Sequence, residues 1–102
     1  MTINTKAQGD ELEIALSGRL DTITAPQLEA ELKRSIDGVA TLIMDFSQLE
    51  YLSSAGLRVL LAAQKVMNRQ GTMVIRNVND TIMEVFEITG FADILTIENS
   101  EG

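Results

Sequence analysis

The sequence predicts an α/β domain with a mixed sheet of about five strands and three main helices. First, 102 residues is the usual size of one domain, and a chain of this length buries roughly two-thirds of its unfolded surface. Second, 45% of the residues are hydrophobic and 23% are charged, which is typical of a globular protein. Third, strand-like and helix-like segments alternate, in the order ββαβαβαβ, which indicates parallel strands joined by crossover helices. We therefore treat residues 1–102 as one domain.

The first two strands are predicted to form a hairpin. Polar and apolar residues alternate over residues 11–16, which indicates a half-buried strand. Residues 8–10 read Gln-Gly-Asp and suit a turn from an earlier strand at about residues 2–6. Residues 17–22 are then expected to carry the chain away from the sheet.

The first helix is predicted to begin after Thr24 as N-cap and to end at about Ile36. Pro26 fits the first turn because a residue there has no intrahelical hydrogen bond to lose. Leu28 and Leu32 recur with Ile36 at four-residue spacing, which predicts the buried face of this helix. An Asp-Gly pair then ends it.

A buried strand and a second helix are predicted next. Residues 41–46 form a short apolar run with an acid near its end, which is typical of a central strand. Residues 47–52 are expected to be a connection outside the sheet. Either Ser53 or Ser54 is expected to cap a helix that runs to about Arg69.

The chain is predicted to end with a strand, a helix and a last strand. Residues 72–76 carry the first of these strands, and Asn79 or Asp80 is expected to cap the third helix. Residues 94–97 are expected to form the last strand. The polar residues 99–102 are expected to fray.

Composition excludes several classes of function. Eight Lys and Arg against fifteen Asp and Glu give a net charge of −7, which opposes binding to nucleic acid and to anionic membranes. The absence of Cys and His excludes disulfides, zinc fingers and every Ser-His or Cys-His catalytic pair. No apolar stretch approaches the roughly 18 residues of a membrane span, and the start of the chain lacks the apolar core of a signal peptide. We expect a soluble, cytoplasmic protein without a cofactor.

The distinctive stretch is the passage from the third strand into the second helix. It enters the helix through Ser-Ser-Ala-Gly at positions 53–56. Hydroxyls, small side chains and unpaired backbone N–H groups then meet at the positive end of the helix, which favours an anion. The alternative interpretation is that Ser53 only caps the helix and that Gly56 allows close packing.

Three blocks of the chain resemble the STAS domain family, specifically its stand-alone bacterial anti-sigma factor antagonists. The first is Ser-Gly-Arg-Leu-Asp at residues 17–21. The second combines Asp-Phe-Ser at 45–47 with Tyr-Leu-Ser-Ser-Ala-Gly-Leu at 51–57. The third is Gly-Phe-Ala-Asp-Ile-Leu at 90–95. Their order and spacing make the resemblance specific, and it covers nearly the whole chain.

The resemblance implies a regulator rather than an enzyme. Such a protein binds an anti-sigma factor, usually a serine kinase, and thereby releases a sigma factor for transcription. The kinase phosphorylates a Ser or Thr at the start of the second helix, the phosphoprotein loses affinity, and a serine/threonine phosphatase restores it.

The phosphate acceptor differs from the common family pattern. That pattern is Asp-Ser-Ser-Gly or Asp-Ser-Thr-Gly with the acceptor directly before Gly, whereas here Ala55 stands before Gly56 and Ser53 replaces the Asp. If Ser53 caps the helix, its oxygen is committed to the N–H of Ala55 or Gly56, which leaves Ser54 free to face a kinase. Ser54 is thus the favoured acceptor, Ser53 is the alternative, and absence of phosphorylation is a third.

The surface expected to contact the partner joins the start of the second helix to the end of the second strand. Asp21 matches a family acid near the acceptor, although a turn or capping role explains it equally well. The residues assigned to this surface are Asp21, Thr22, Ser53, Ser54, Ala55, Gly56 and Arg58. Asp45 is expected to bond nearby backbone N–H groups, and Tyr51 is expected to pack.

Two other functions remain open. A STAS module that is never phosphorylated could use the same surface as a constitutive scaffold or transport accessory, which the Ala at position 55 favours. A nucleotide-binding domain could use the helix start to hold a phosphate, but the chain has neither Gly-x-x-x-x-Gly-Lys nor Gly-x-Gly-x-x-Gly.

Overall fold

The computed structural model describes residues 1–98 and confirms the predicted order of strands and helices. The elements are β1 (Thr2–Gln8), β2 (Glu11–Leu20), α1 (Ala25–Ser35), β3 (Thr41–Leu52), α2 (Ser54–Gln70), β4 (Thr72–Arg76), α3 (Asp80–Thr89), a 3-10 turn (Phe91–Asp93) and β5 (Ile97–Glu98). The prediction for residues 99–102 lies outside the described residues.

The five described strands form one mixed sheet in the order β1-β2-β3-β4-β5. β1 pairs antiparallel with β2, and every later pair is parallel. Each crossover advances one strand in the same direction, and such connections are right-handed, so the three helices cover one face of the sheet. The other face is more open, since buried and half-buried residues alternate along β2.

The core lies between this helical layer and the sheet. The predicted buried face of α1 is confirmed, because Leu28, Leu32 and Ile36 are all buried. The rings of Phe46 on β3 and Phe86 on α3 lie 6.5 Å apart between centroids. The largest fully buried side chains come from both layers: Ile14, Leu16, Leu20, Leu42, Met44, Phe46, Leu49, Leu28, Leu60, Met67, Met73 and Phe86.

Two segments that were predicted to lie outside the sheet instead form parts of its strands. β2 continues through residues 17–20, and β3 continues through residues 47–52, where a connection was expected. The two extensions pair with each other up to Leu20 and Leu52, with register shifts between Ala15 and Ser17 and again after Gly18. Such irregularities interrupt the period-two alternation, so the sequence pattern ends before the strand does.

The last strand is shorter than predicted and begins later. Residues 91–93 form a 3-10 turn after the αL residue Gly90, and β5 contains only Ile97 and Glu98. The backbone N–H of Leu95 donates to Phe91 O, so the first residues of the predicted strand at 94–97 belong to this turn.

Side-chain hydrogen bonds at two predicted positions are confirmed. Asn79 caps α3, since its Oδ1 accepts from the N–H of Ile82 at 2.8 Å. The Asp45 carboxylate accepts from the N–H of Ser47 at 2.9 Å and from Asn77 Nδ2 at 3.0 Å. Burial raises the pKa of Asp45, but these hydrogen bonds outweigh it, and the pKa lies below its usual value. Asp45 is thus a structural acid.

Over residues 1–98, no helix has both the length and the apolar character that crossing a bilayer requires.

Candidate functional site

The predicted site residues meet where β2 and β3 end. Leu20 pairs with Leu52 at the last rung of the parallel ladder, and the N–H of Ser53 donates to Leu20 O at 2.9 Å. Because parallel strands end at the same edge of the sheet, the segments leading into α1 and α2 leave it side by side. This edge is the carboxyl end of the sheet, where ligands of open α/β folds bind.

The two helices enclose an open groove beside this edge. Thr22 from the turn after β2 and Ala55 and Arg58 from α2 line it, and Pro26 and Glu29 of α1 line the opposite side. Its volume is about 390 Å³. The structure thus brings predicted residues from two distant parts of the chain into one depression.

Gly56 fixes the position of the first turn of α2 on the strand ends. A Cβ at this residue would lie 2.7 Å from Leu20 Cγ and 2.7 Å from Leu52 Cδ1, and both leucines are buried. The helix backbone therefore rests directly on the last core residues of β2 and β3. This contact sets where the residues before Gly56 stand.

Asp21 shapes the turn that leads from β2 into α1. Its Oδ1 accepts from the N–H groups of Ile23 and Thr24 at 3.0 and 3.1 Å. Thr24 occupies the predicted N-cap position of α1, but its hydroxyl makes no cap bond and instead donates to Arg19 O and accepts from the N–H of Asp21. The backbone at Thr24 already has αR angles, so the turn begins earlier than the sequence indicated.

The hydrogen bond from the backbone N–H of Thr24 holds the pKa of Asp21 below its usual value against the opposing effect of desolvation. The Thr24 hydroxyl, the N–H of Ile23 and the nearby Arg19 guanidinium act in the same direction. Asp21 Oδ2 lies 3.7 Å from Arg19 Nε. The turn therefore carries a stable negative charge beside the start of α2.

The two serines at the start of α2 differ sharply in accessibility. Ser53 occupies the N-cap position with extended backbone angles, but its hydroxyl forms no cap bond, so the predicted bond to Ala55 or Gly56 is wrong. Its Oγ is buried and has no hydrogen-bond partner over residues 1–98. Ser54, the first residue of the helix, is exposed.

Replacing Ser53 by Ala is therefore expected to leave the free energy of unfolding within about 0.5 kcal/mol of wild type, because no capping bond is lost. Asn79→Ala is the matched control, since Asn79 does cap α3 and its loss is expected to cost about 1 kcal/mol. Urea unfolding of both variants measures the difference. A cost for Ser53→Ala equal to that of Asn79→Ala would show that Ser53 caps α2 in solution.

Two surface features near the site were missed or misjudged from the sequence. Ile23 lies in the Asp21 turn and is 83% exposed. In the sequence, only the polar threonines on either side of Ile23 indicated that it lies in a turn. Tyr51 was expected to pack, but the residue is 40% exposed, and the Arg19 guanidinium carbon lies 4.1 Å from the centroid of its ring. Both offer apolar surface to a protein partner.

The polar groups at this site are hydroxyls, carboxylates, the Arg58 guanidinium and backbone groups. Within residues 1–98, no three His, Cys, Asp or Glu side chains gather in a way that could hold a metal ion. The exposed hydroxyl at a helix N-terminus is instead suited to covalent modification, because the helix end favours a negative group.

Comparison with known proteins identifies the family to which this chain is similar. The model of the STAS domain matches residues 2–102. The protein BtrV of Bordetella bronchiseptica is 42% identical over 87 residues, which cover 83% of this chain and 75% of BtrV. The anti-sigma-B factor antagonist of Listeria monocytogenes is 34% identical over 96 residues, which cover 91% of this chain and 83% of that protein.

Solved structures agree with the sequence relatives. The Bacillus cell fate determinant SpoIIAA in its phosphorylated form superposes with a TM-score of 0.78 at 21% identity, over 98% of this chain and 92% of SpoIIAA. That likeness concerns the fold. With the family model matching almost every residue and relatives above 30% identity, the chain belongs to the STAS domain family.

Proposed function

We propose that this protein is an anti-sigma factor antagonist: it binds an anti-sigma factor of the serine-kinase type and thereby releases a sigma factor. The name of the Listeria relative supports the antagonist role. The acceptor of the controlling phosphate is Ser54, and a serine/threonine phosphatase removes it. The protein acts in the cytoplasm as substrate and ligand, without catalysis of its own.

The observation that carries this proposal is the contrast between the two serines. Ser54 is exposed at the first position of α2, while the Ser53 oxygen is buried. A kinase must reach the acceptor oxygen, so Ser54 satisfies that requirement and Ser53 does not. SpoIIAA, a protein of the same fold, has been solved in a phosphorylated form.

A phosphate at Ser54 would act on binding rather than on folding. It adds about −1.5 to −2 charges at a helix N-terminus, where the dipole and free N–H groups stabilise an anion. In an interface the same group must lose its water, which costs binding free energy. Losing about 3 kcal/mol of binding in this way weakens affinity on the order of a hundredfold.

The function is tested by sigma release. The serine-kinase anti-sigma factor of the same organism is bound to its sigma factor, and this protein is added without ATP. We expect the sigma factor to leave the complex and this protein to take its place on gel filtration. A sigma factor that stays bound at saturating concentrations of this protein would refute the antagonist role.

Phosphorylation is tested by substitution. With the kinase and ATP, we expect wild type and Ser53→Ala to gain one phosphate by intact mass and Ser54→Ala to gain none, because Ser54 is the exposed one of the two serines at the start of α2. Peptide mapping assigns the site. Phosphate on Ser53, or on both serines, would show that the helix start opens before the kinase acts.

The constitutive scaffold is the second candidate, and Ala55 at the common acceptor position favours it. It predicts binding without phosphate incorporation into any variant, including wild type. A nucleotide-binding role is disfavoured by the absence of a phosphate-binding glycine motif, and heat on calorimetric titration with ATP or GTP would revive it.

A further inference from the structure

Helix α2 carries an unpaired basic stripe on an acidic protein. Arg58, Lys65 and Arg69 are all exposed, and α2 contains no Asp or Glu. Spacings of seven and eleven residues return to the same side of a helix with about 3.6 residues per turn, so the three side chains align over roughly 16 Å. We call these three residues the basic stripe.

The three side chains of the stripe form no ion pair within residues 1–98. The ion pairs found over residues 1–98 take their cations from Arg19, Lys33, Arg34 and Arg76. The stripe therefore concentrates three of the eight Lys and Arg residues on one helix face while the chain as a whole carries −7. Such segregation is typical of a surface that meets a negatively charged partner.

An apolar groove runs beside the stripe, between α1 and α2. It continues the depression near Ser54, with which it shares Glu29, Val59 and Ala62. The apolar groove has a volume of about 130 Å³. It is lined mainly by apolar side chains: Leu32, Ile36, Val59, Ala62, Ala63 and Val66. We call the two connected depressions the α1–α2 groove.

The opposite wall of the groove is close to neutral. Lys33 Nζ lies 4.0 Å from Glu29 Oε2 on α1, so the charges of these two rim residues offset each other. The net charge along the groove thus comes from the stripe on α2. Of the stripe, Arg58 lines the groove itself. Lys65 and Arg69 continue the same side of α2, so an occupant of the groove would find the unbalanced cations on that side.

We infer that the α1–α2 groove and the basic stripe dock an acidic amphipathic helix of the partner protein. Apolar residues of that helix enter the groove, and its Asp or Glu residues meet the stripe. This inference rests on the proposed function, because it assigns the docking surface of the same anti-sigma factor. It extends the interface from Ser54 along the whole exposed side of α2.

A protein helix fits the surface better than a membrane or a nucleic acid does. Both of those partners are polyanions that an acidic protein repels at long range, and the stripe offers only three cations against it. A groove of apolar side chains has no counterpart in a phosphate backbone. The apolar surface and the charges together match a helix with two faces.

The test compares two identical charge reversals at exposed lysines. Lys65→Glu alters the stripe, whereas Lys6→Glu alters β1 at the far edge of the sheet. The affinity of each unphosphorylated variant for the anti-sigma factor is measured by calorimetry at low and high salt. We expect Lys65→Glu to weaken binding by about tenfold at low salt and by less at high salt, with Lys6→Glu near wild type.

The outcomes separate this inference from the proposed function. Wild type that binds the anti-sigma factor together with a Lys65→Glu variant that binds equally well would overturn the docking surface and leave the function standing. Wild type that does not bind would overturn both. Wild type that binds phosphatidylglycerol vesicles or duplex DNA through Lys65, with anti-sigma binding unchanged, would assign the stripe to those partners instead.

Discussion

The Ser54→Asp variant is expected to bind its anti-sigma factor at least tenfold more weakly than wild type, yet to melt at nearly the same temperature. A carboxylate at the first position of α2 stabilises the helix by a few tenths of a kcal/mol up to about 1 kcal/mol. In the interface the same carboxylate is desolvated beside the Asp21 turn. Calorimetric titration and circular dichroism measure the two effects.

Thr81→Asp is the control for an added acid at a helix start. Thr81 is exposed in the first turn of α3 and belongs neither to the residues assigned to the partner surface nor to those that line the α1–α2 groove, so this variant is expected to bind like wild type. Tight binding by Ser54→Asp, with Ser54 shown to lie in the interface, would refute electrostatic exclusion. It would favour the constitutive scaffold.

The Gly56→Ala variant is expected to lose about 1–2 kcal/mol of stability. Alanine is normally favoured over glycine in a helix by about 1 kcal/mol, but here the methyl group would overlap the buried Leu20 and Leu52, and overpacking a core costs about 1–3 kcal/mol. Urea unfolding measures the change. Relieving the overlap also displaces the first turn of α2, so anti-sigma binding is expected to fall as well.

Ala30→Gly provides the opposing control. Ala30 is exposed on α1, where only helix propensity matters, and the substitution is expected to cost about 1 kcal/mol. Stability that rises in Gly56→Ala by as much as it falls in Ala30→Gly would mean that α2 does not rest on the strand ends.

The helices and the order of elements were predictable because their signals are local. The four-residue spacing of Leu28, Leu32 and Ile36 and the cap at Asn79 need only neighbouring residues. The ends of β2 and β3 were not predictable, because the two extensions stabilise each other across a parallel ladder with shifted register. Pairing between distant segments leaves no regular pattern in either segment alone.

The Ser-Ser-Ala-Gly motif at residues 53–56 indicated where the candidate site lies. The hydrogen bonds within the site could not be predicted from it. Of the two serines expected to cap α2, Ser53 occupies the N-cap position. The sequence could not show that its oxygen lacks a bond, since that depends on how α2 sits on Leu20 and Leu52. Thr24 likewise occupies the predicted N-cap of α1, but Asp21 supplies the oxygen that accepts the N–H groups of the turn before this helix.

The central claim is that phosphate on Ser54 switches off binding without unfolding the protein. The direct test uses protein carrying phosphoserine at position 54, prepared by genetic incorporation, and unmodified protein in parallel titrations of the anti-sigma factor. We expect the phosphoprotein to keep its melting temperature and to bind on the order of a hundredfold more weakly. Equal affinities for the two forms, with both folded, would contradict the account.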